Sequence, residues 1–240
     1  MKKIVSFAVV LLAVCGMAGA QRAAEYDLAT HHGDNASYNR IGVSYNNTGL
    51  MLNDDAKDDW EMKNFSLNGV GIDYIHGFSL SKAYPMFLEV GANVNFNFAS
   101  PKLYEEDDYV EKMKMQDINM QVPVNFVYRF NVGDDFSIAP YVGLNFKLHL
   151  MTQGKFVAEE DGEKEESEWL NYFSKDDVGE DDTWNRFQMG WHVGVGFQYS
   201  KVFLGLQYGT DFIPAWSYKE DDWNAKINTG NFKLTLGYTF

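Results

Sequence analysis

Residues 86–98 read Met-Phe-Leu-Glu-Val-Gly-Ala-Asn-Val-Asn-Phe-Asn-Phe, and this stretch decides the fold. From Leu88 to Phe98 every second side chain is apolar, and the positions between them are Glu89, Gly91, Asn93, Asn95 and Asn97. Successive side chains of a strand point to opposite faces. An alternation of this length therefore predicts one long β-strand with an apolar face and a polar face.

The same alternation returns along the rest of the chain. It is clear over 117–130, 136–150 and 186–199, and weaker over 40–46, 66–76, 202–210 and 231–240. Together these stretches predict eight strands. The clearest are longer than the five or six residues typical of soluble sheets, and nine to eleven tilted residues suffice to cross a bilayer.

Two barrels with opposite faces fit this alternation. A soluble, lipocalin-like barrel would bury the apolar face, whereas a membrane barrel turns it to lipid and lines its lumen with polar and small residues. The connections favour the second. Those at 77–85, 131–135 and 200–201 are short, while 47–64, 99–115, 151–185 and 211–230 are long. Short turns at one rim and long loops at the other are typical of bacterial outer-membrane barrels.

Charge supports the same interpretation. The 240 residues carry a net charge of −14, which disfavours nucleic acid as a partner because phosphate would be repelled. Of 34 acidic residues, 26 lie in the four long connections. We therefore predict an all-β protein: an eight-stranded antiparallel up-and-down transmembrane β-barrel with short periplasmic turns and long acidic extracellular loops. Four aromatic residues that follow acidic clusters are predicted to lie at the membrane interface: Trp60, Tyr109, Trp184 and Trp223.

The first twenty residues resemble a cleaved signal peptide. Lys2 and Lys3 precede an apolar run, and Ala18-Gly19-Ala20 has the small-x-small pattern of a cleavage site before Gln21. The apolar run is short for a membrane anchor, and Val14 is too bulky for a lipoprotein signal at Cys15. The expected organisation is a leader over 1–20, a periplasmic segment over 21–36 and an outer-membrane barrel over 37–240.

Residues 118–130 resemble a "leIPlllkyrf" strand, residues 139–144 an "aPYvgaG" strand and residues 190–197 a "Gl-aGvGfe" strand, and the chain ends in Leu236-Gly237-Tyr238-Thr239-Phe240. These three strands and the C-terminus resemble the PorT-like outer-membrane β-barrel (porin) family of Bacteroidota. The resemblance covers about residues 36–240 and implies the fold and the outer-membrane location, without one shared activity. It also implies that the terminal Phe240 is an assembly signal for the barrel-assembly machinery. The acidic stretch 151–185 departs from the family pattern, so its role cannot be transferred.

The inner face is predicted to hold charged residues of both signs: Arg40, Asp73, Glu89, Asp117, Arg129, Lys147 and Lys233. Four bases and three acids nearly balance, which indicates a plug of paired charges rather than a selective filter. Eight strands enclose an interior only wide enough for side chains to fill. A small-conductance, porin-like channel remains the alternative function.

A lipid-modifying enzyme is a further alternative. Such chemistry needs a nucleophile, a base and an orienting acid, and the candidate bases are His31, His32, His76, His149 and His192. No His-x-Ser pairing of the kind found in outer-membrane hydrolases is present. We expect no catalysis and no catalytic residue.

The long loops are the expected place of function, because loops on a rigid scaffold commonly carry binding. We predict a monomer with a structural or surface-interaction role, in contact with outer-membrane lipids and lipopolysaccharide. No cofactor is expected, although carboxylates in these loops are weak candidates for binding Ca²⁺ or Mg²⁺: Asp54, Asp55, Asp58, Asp59, Asp107, Asp108, Asp221 and Asp222. The acidic run 158–168 is expected to be disordered in isolation.

Overall fold

The computed structural model describes residues 35–60, 63–106, 109–132, 135–161, 163–220 and 223–240, with the side chains of 58–60 excepted. The predicted leader and the periplasmic segment as far as residue 34 lie outside the described residues. Within the described ranges, no helix is both long enough and apolar enough to cross a membrane. All strands of these ranges belong to one sheet, and every strand pair in it is antiparallel.

Within the described ranges the sheet contains thirteen strands, not the eight predicted. The strands are β1 (Tyr38–Leu52), β2 (Phe65–Ser79), β3 (Met86–Ala99), β4 (Lys102–Glu106), β5 (Tyr109–Tyr128), β6 (Phe130–Val132), β7 (Phe136–Glu160), β8 (Glu163–Glu166), β9 (Leu170–Asn171), β10 (Phe187–Tyr199), β11 (Val202–Asp211), β12 (Trp216–Glu220) and β13 (Trp223–Thr239). Two short helices are α1 (Asp54–Trp60) and α2 (Lys175–Val178).

The long strands close into a ring. In order around it they are β1, β2, β3, β5, β7, β10, β11 and β13, and β13 pairs again with β1. The five remaining strands are short. β6 pairs with β7 just beyond the end of β5. The other four lie within the long connections and pair there with the ends of ring strands: β4, β8, β9 and β12. The predicted strand count was wrong because these short ladders carry no recognisable alternation.

The long strands also extend further than their alternating patterns. β5 and β7 stay paired as far as Tyr109 opposite Glu160, well inside the stretches 99–115 and 151–185 that were predicted as loops. The four long connections outside the ring strands therefore span only 53–64, 100–108, 161–186 and 212–222. The run 158–168, expected to be disordered, contains the end of β7 and all of β8. Backbone hydrogen bonds between strands do not depend on side-chain polarity, so the ladder continues through acidic sequence.

The two ends of the ring differ. At one end, the connections at 80–85 and 200–201 are short, and the start of β1 meets the end of β13 there. The N–H of Asn39 donates to the Phe240 carbonyl at 2.9 Å, and the N–H of Phe240 donates to the Asn39 carbonyl at 2.8 Å. The opposite end carries both helices and the four long connections. We call these the short-turn end and the long-connection end.

The faces of the ring are opposite to those of a soluble protein. Apolar side chains of the long strands point outward and are exposed: Val43 is 59% exposed, Val70 61% and Ile72 60%. Charged and amide side chains point inward and are buried: Glu89 is 2% exposed, Lys147 1% and Asn95 0%. Exposed apolar bands of this extent normally face another apolar phase. The soluble alternative, with an apolar interior and a polar outer surface, is not the structure observed along these strands.

Candidate functional site

The interior divides into two regions along the barrel axis. From the short-turn end to beyond its middle it is filled by buried polar and charged side chains, which we call the luminal network. Near the long-connection end it is lined by apolar and aromatic side chains around an open space, which we call the mouth cavity. Both regions use inward positions of the same strands, and the mouth cavity adds residues of the long connections.

The lowest layer of the luminal network is centred on Glu89. Its carboxylate pairs with the Arg40 guanidinium at 2.9 Å, accepts the Tyr38 hydroxyl at 2.5 Å and accepts the Asn125 amide at 3.1 Å. Arg40 also lies over the Phe203 ring, with its guanidinium carbon 3.7 Å from the ring centroid. Both oxygens of the buried carboxylate are therefore hydrogen-bonded, and its charge is paired, as burial of a charge requires.

Arg129 lies apart from this ion pair. Its guanidinium carbon is 4.6 Å from the Tyr38 ring centroid and 4.5 Å from that of Phe87, a cation–π arrangement at the short-turn end. The sequence placed Arg129 in a network of paired charges. Here its described contacts are aromatic, because it follows the last residue of β5, where the inner wall is formed by rings.

The middle layer joins Asp73 to Lys233, whose ammonium group donates to the Asp73 carboxylate. The Asn93 amide donates to the same carboxylate oxygen. A ladder of amides continues around the wall, from Asn46 to Asn95 at 2.9 Å and from Asn95 to Asn119 at 3.0 Å. Asn95 belongs to the polar face predicted for residues 86–98, and the structure connects it to asparagines of two other strands, Asn46 of β1 and Asn119 of β5.

The upper layer contains two further carboxylates. Asp211 pairs with Lys147 at 2.7 Å, and both side chains are almost fully buried, at 2% and 1% exposure. Asp117 accepts from His149 Nδ1 at 2.5 Å and from the Thr152 hydroxyl at 2.8 Å. Three lysine or arginine ion pairs and one histidine–carboxylate contact therefore cross the lumen.

Asp211 is the member of this network that sequence reasoning missed. The predicted strand 202–210 stopped one residue short of it, so it was counted with the acidic loop that follows. Its position nevertheless continues the inward series of β11: Phe203, Gly205, Gln207 and Gly209. The spacing of two residues along the strand was the available signal for Asp211. The same spacing places Phe87 on the inner face, two residues before Glu89, and Phe87 is fully buried.

Little space remains between these layers. A cavity bordered by Arg40, Asp73, Asn125, Tyr141 and Lys233 measures about 30 Å³. A single water needs about 10–15 Å³ by this kind of measure, so the gap holds no more than a few waters. The network thus packs the lumen at this level with side chains.

The described histidines do not form a nucleophile–base pair. His149 Nε2 is 3.0 Å from Gln188 Oε1, and the nearby Thr152 hydroxyl donates to Asp117 rather than to the imidazole. His192 Nε2 is 2.6 Å from Asn125 Oδ1, and His76 Nδ1 is 2.8 Å from Asn39 Oδ1. A catalytic serine or threonine would need its hydroxyl on an imidazole nitrogen, which is not the arrangement of these contacts. His31 and His32 lie outside the described residues.

The mouth cavity has a volume of about 420 Å³, within the range of small-molecule sites. Its walls come from ring strands and from the connections that fold over them. The lining residues are Leu50, Leu52, Phe65, Met113, Met115, Phe156, Leu170, Tyr172, Asp177, Val178, Asp182, Trp184, Trp216 and Ile227.

Two connections hold this wall in place. The Trp184 N–H donates to the Tyr172 carbonyl at 2.8 Å, and the Asn185 N–H donates to the Ala215 carbonyl at 2.8 Å. The Trp216 indole N–H donates to the Asp181 carbonyl at 2.9 Å. The 161–186 connection is therefore fastened to the 212–222 connection directly above the ring.

Two of the four aromatics predicted at a membrane interface lie elsewhere. Trp184 lines the mouth cavity, and Trp223 packs against the buried apolar cluster that includes Leu52 and Trp216. Trp184 belongs to a connection that folds back over the barrel, whereas Trp223 is the first residue of β13. Tyr109 stacks at a tilt against Tyr104 with centroids 6.0 Å apart, and the side chain of Trp60 lies outside the description.

The predicted metal-binding carboxylates gain no support. Among the described residues, no group of three or more His, Cys, Asp or Glu side chains is placed to hold a metal ion. Asp54 and Asp55 are exposed on α1, and Asp55 accepts the backbone N–H of Asn224 at 3.1 Å. Positions outside the description are Asp107, Asp108, Asp221 and Asp222, together with the side chains of Asp58 and Asp59.

Glu166 of β8 instead forms ion pairs with three lysines at the long-connection end. Hydrogen bonds from Lys155, Lys164 and Lys114 lower the pKa of the Glu166 carboxyl to about 2. Lys155 also lies 5.1 Å from the Trp169 ring centroid. These contacts fasten the acidic β7–β8 hairpin against β5.

Comparison with known proteins agrees with this architecture. Residues 7–240 match the family described as outer membrane protein beta-barrel domain. No curated protein is significantly similar to the chain.

Similar solved structures include Ail, the attachment invasion locus protein of Yersinia pestis, at 14% identity and a TM-score of 0.36, covering 85% of this chain and 99% of that one. OprG of Pseudomonas aeruginosa is 12% identical with a TM-score of 0.39, covering 87% and 98%. Neisserial surface protein A is 12% identical with a TM-score of 0.36, covering 84% and 97%. Similarities this low carry no argument about function. The family match spans nearly the whole chain, and the chain therefore belongs to the outer-membrane β-barrel proteins.

Proposed function

We propose that the protein is an integral outer-membrane barrel with a closed lumen and no catalysis, whose role is surface interaction through its long acidic connections. The observation that carries this proposal is the inverted distribution of side chains, with an apolar outer wall and a lumen filled by buried ion pairs. In this orientation the short turns face the periplasm and the long connections face the exterior, as in bacterial barrels generally.

A closed lumen separates this role from that of a porin-like channel. Ions crossing the barrel would have to pass the Arg40–Glu89, Lys233–Asp73 and Lys147–Asp211 pairs in turn. The test is conductance of the purified protein in planar lipid bilayers. We expect no steady single-channel current, and a reproducible current that changes in size in a Lys147→Met variant would establish the channel alternative.

The long-connection end is suited to contact with other molecules because its connections are stabilised by one another. Exposed carboxylates such as Asp176 and Glu180 project from a segment that backbone hydrogen bonds tie to the barrel. Lipopolysaccharide is a proposed neighbour, with Ca²⁺ or Mg²⁺ bridging carboxylates to its anionic headgroups. The barrel-assembly machinery is the proposed partner of Phe240 during insertion, and we propose a monomer.

The experiment for this role compares whole cells that display the native chain or a variant with residues 163–182 replaced by a short glycine–serine linker. A variant that still shows a boiling-dependent shift on detergent gels has kept its barrel. Loss of adhesion or of ligand binding to such cells supports a role for these connections. Unchanged binding with the barrel intact would contradict it.

Two finer assignments belong to the same proposal. The strand motifs support the proposal that the protein is one of the PorT-like barrels of Bacteroidota, and the pattern at Ala18-Gly19-Ala20 supports cleavage before Gln21. Mass spectrometry of the protein purified from outer membranes tests the second directly. We expect an N-terminus at Gln21, and a retained leader would contradict the assignment.

A further inference from the structure

The mouth cavity combines three features that together specify a ligand class. Its walls are apolar, with Leu50, Met115 and Ile227 contributed by ring strands. Three large aromatic side chains, Tyr172, Trp184 and Trp216, line one part of it. An apolar ligand body placed there would have apolar surface removed from contact with water, which is the usual source of affinity in small-molecule pockets.

The aromatic wall is ordered rather than loosely packed. The Tyr172 and Trp184 rings lie 4.8 Å apart with an interplanar angle of 33°. Tyr172 also contacts the ring strands, with its hydroxyl 3.7 Å from the sulfur of Met113. Burial raises the pKa of the Tyr172 hydroxyl above its ordinary value, so the phenol is uncharged at neutral pH. Clustered aromatic faces of this kind attract organic ammonium groups.

The charged residues of the cavity lining are both acidic. Asp177 comes from α2 and Asp182 from the connection after it, and both side chains are exposed at the rim. One oxygen of Asp177 accepts the Asn171 N–H at 2.9 Å, which fixes the carboxylate at the edge of the cavity. The nearby Lys175 is paired with Glu180 and is not part of the lining. The rim therefore favours a cation and disfavours an anion.

We propose that the mouth cavity binds an organic ammonium compound: an apolar or aromatic body with a positively charged head. The body occupies the space between Leu50, Met115 and Ile227. The head lies against Tyr172 and Trp184 within reach of Asp177 and Asp182. A fatty acid, which has the same apolar body and an opposite charge, is disfavoured by those two carboxylates.

This inference rests on the proposed function only for which side of the membrane the cavity faces. Binding is measured on the purified full chain in lipid nanodiscs, which does not depend on orientation. If the connections proved to face the periplasm while the ligand still bound, the proposed function would fail and the cavity assignment would stand.

The test uses three soluble probes that share one benzyl group: benzyltrimethylammonium, benzyl alcohol and phenylacetate. Saturation-transfer NMR against empty nanodiscs gives an affinity for each. We expect the ammonium to bind at least about tenfold more tightly than the alcohol, and phenylacetate to bind most weakly. Absence of ammonium binding at millimolar concentration, or tighter binding of phenylacetate, would overturn the proposal.

Variants locate the site. Replacing both rim carboxylates, Asp177→Asn with Asp182→Asn, should remove most of the preference for the ammonium and leave benzyl alcohol binding unchanged. Trp184→Leu should weaken the ammonium at least about fivefold by removing the aromatic face. Asp176→Asn is the matched control, because it removes a neighbouring carboxylate of α2 that does not line the cavity. An equal effect of the control and the double variant would contradict the assignment, and a retained boiling-dependent shift shows that each variant is folded.

Discussion

Asp211 holds the ammonium group of Lys147 in the closed lumen, and its replacement by asparagine tests whether the luminal network is a set of true ion pairs. The two groups lie 2.7 Å apart, with side chains 1% and 2% exposed. The same carboxylate oxygen also accepts from Thr229 and, at 3.1 Å, from Asn231. Asp211→Asn keeps the shape of the side chain but removes the charge that compensates the buried lysine.

The expected cost follows from burial. Removing one partner of a buried pair leaves an uncompensated charge and typically destabilises by about 3–5 kcal/mol. That corresponds to a loss of between about a hundredfold and a few thousandfold in the folding equilibrium constant. Replacing both partners with apolar residues, Lys147→Met with Asp211→Leu, removes the buried charge and should restore stability to near or above that of the native chain.

The assay is urea unfolding and refolding of the purified protein in lipid vesicles, followed by tryptophan fluorescence and by the boiling-dependent gel shift. Glu105→Gln is the control, because it breaks the Lys102–Glu105 pair, whose side chains are 54% and 57% exposed. Exposed pairs contribute about 0–1 kcal/mol. A cost for Asp211→Asn as small as that of the control would refute the account of a dry, paired lumen.

Three further predictions concern other parts of the barrel. Ile72→Arg, on the outer face, should cost about 2–4 kcal/mol in the same vesicle assay, and a neutral effect would mean that this face is not in hydrocarbon. Gly69→Ala should destabilise the folded barrel by about 1–3 kcal/mol, because the added Cβ would lie 2.2 Å from the Phe96 carbonyl oxygen and the backbone would have to shift. Unchanged stability would argue against the strand spacing at this position. The lowered pKa of Glu166 means that its lysine contacts are fully present above its ordinary pKa of 4.5 and are lost as the pH falls towards about 2. The rate at which pepsin cuts the β7–β8 hairpin should therefore rise more between pH 4 and pH 2 in the native chain than in a Glu166→Gln variant, which records the pH dependence of pepsin itself. An equal rise in both proteins would contradict this account of Glu166.

Much of the ring could be predicted because alternation records which face of a strand meets an apolar phase. The stretch 86–98 places Glu89 and Asn95 on one face and Val94 on the other, and the structure buries the first two. This signal arises only where neighbouring side chains differ in polarity. Where both faces are polar, as in 158–166, the backbone ladder continues without leaving a pattern.

The mouth cavity could not be predicted for a related reason. Met113 and Met115 continue the inward phase of Asp117, but they are apolar and fall in the stretch 99–115, which was predicted as a loop. Their burial depends on connections from distant parts of the chain, including the segment that carries Trp184. Such contacts are tertiary and leave no local period. Asp211 was missed for the simpler reason that its strand was ended one residue early.

The central claim is that the apolar outer wall lies in lipid while the long connections lie in water, and site-specific quenching tests it most directly. Cys15, the sole cysteine of the chain, lies in the proposed leader, and a Cys15→Ala background keeps the labelling specific even where the leader is retained. Single labels are then placed at Val43→Cys and Val70→Cys on the outer wall and at Glu180→Cys beyond α2. An environment-sensitive fluorophore at each site is quenched either by brominated acyl chains or by aqueous iodide. The account predicts quenching by brominated lipid at the two wall positions and by iodide at position 180. Iodide quenching at all three positions, without any effect of brominated lipid, would contradict it.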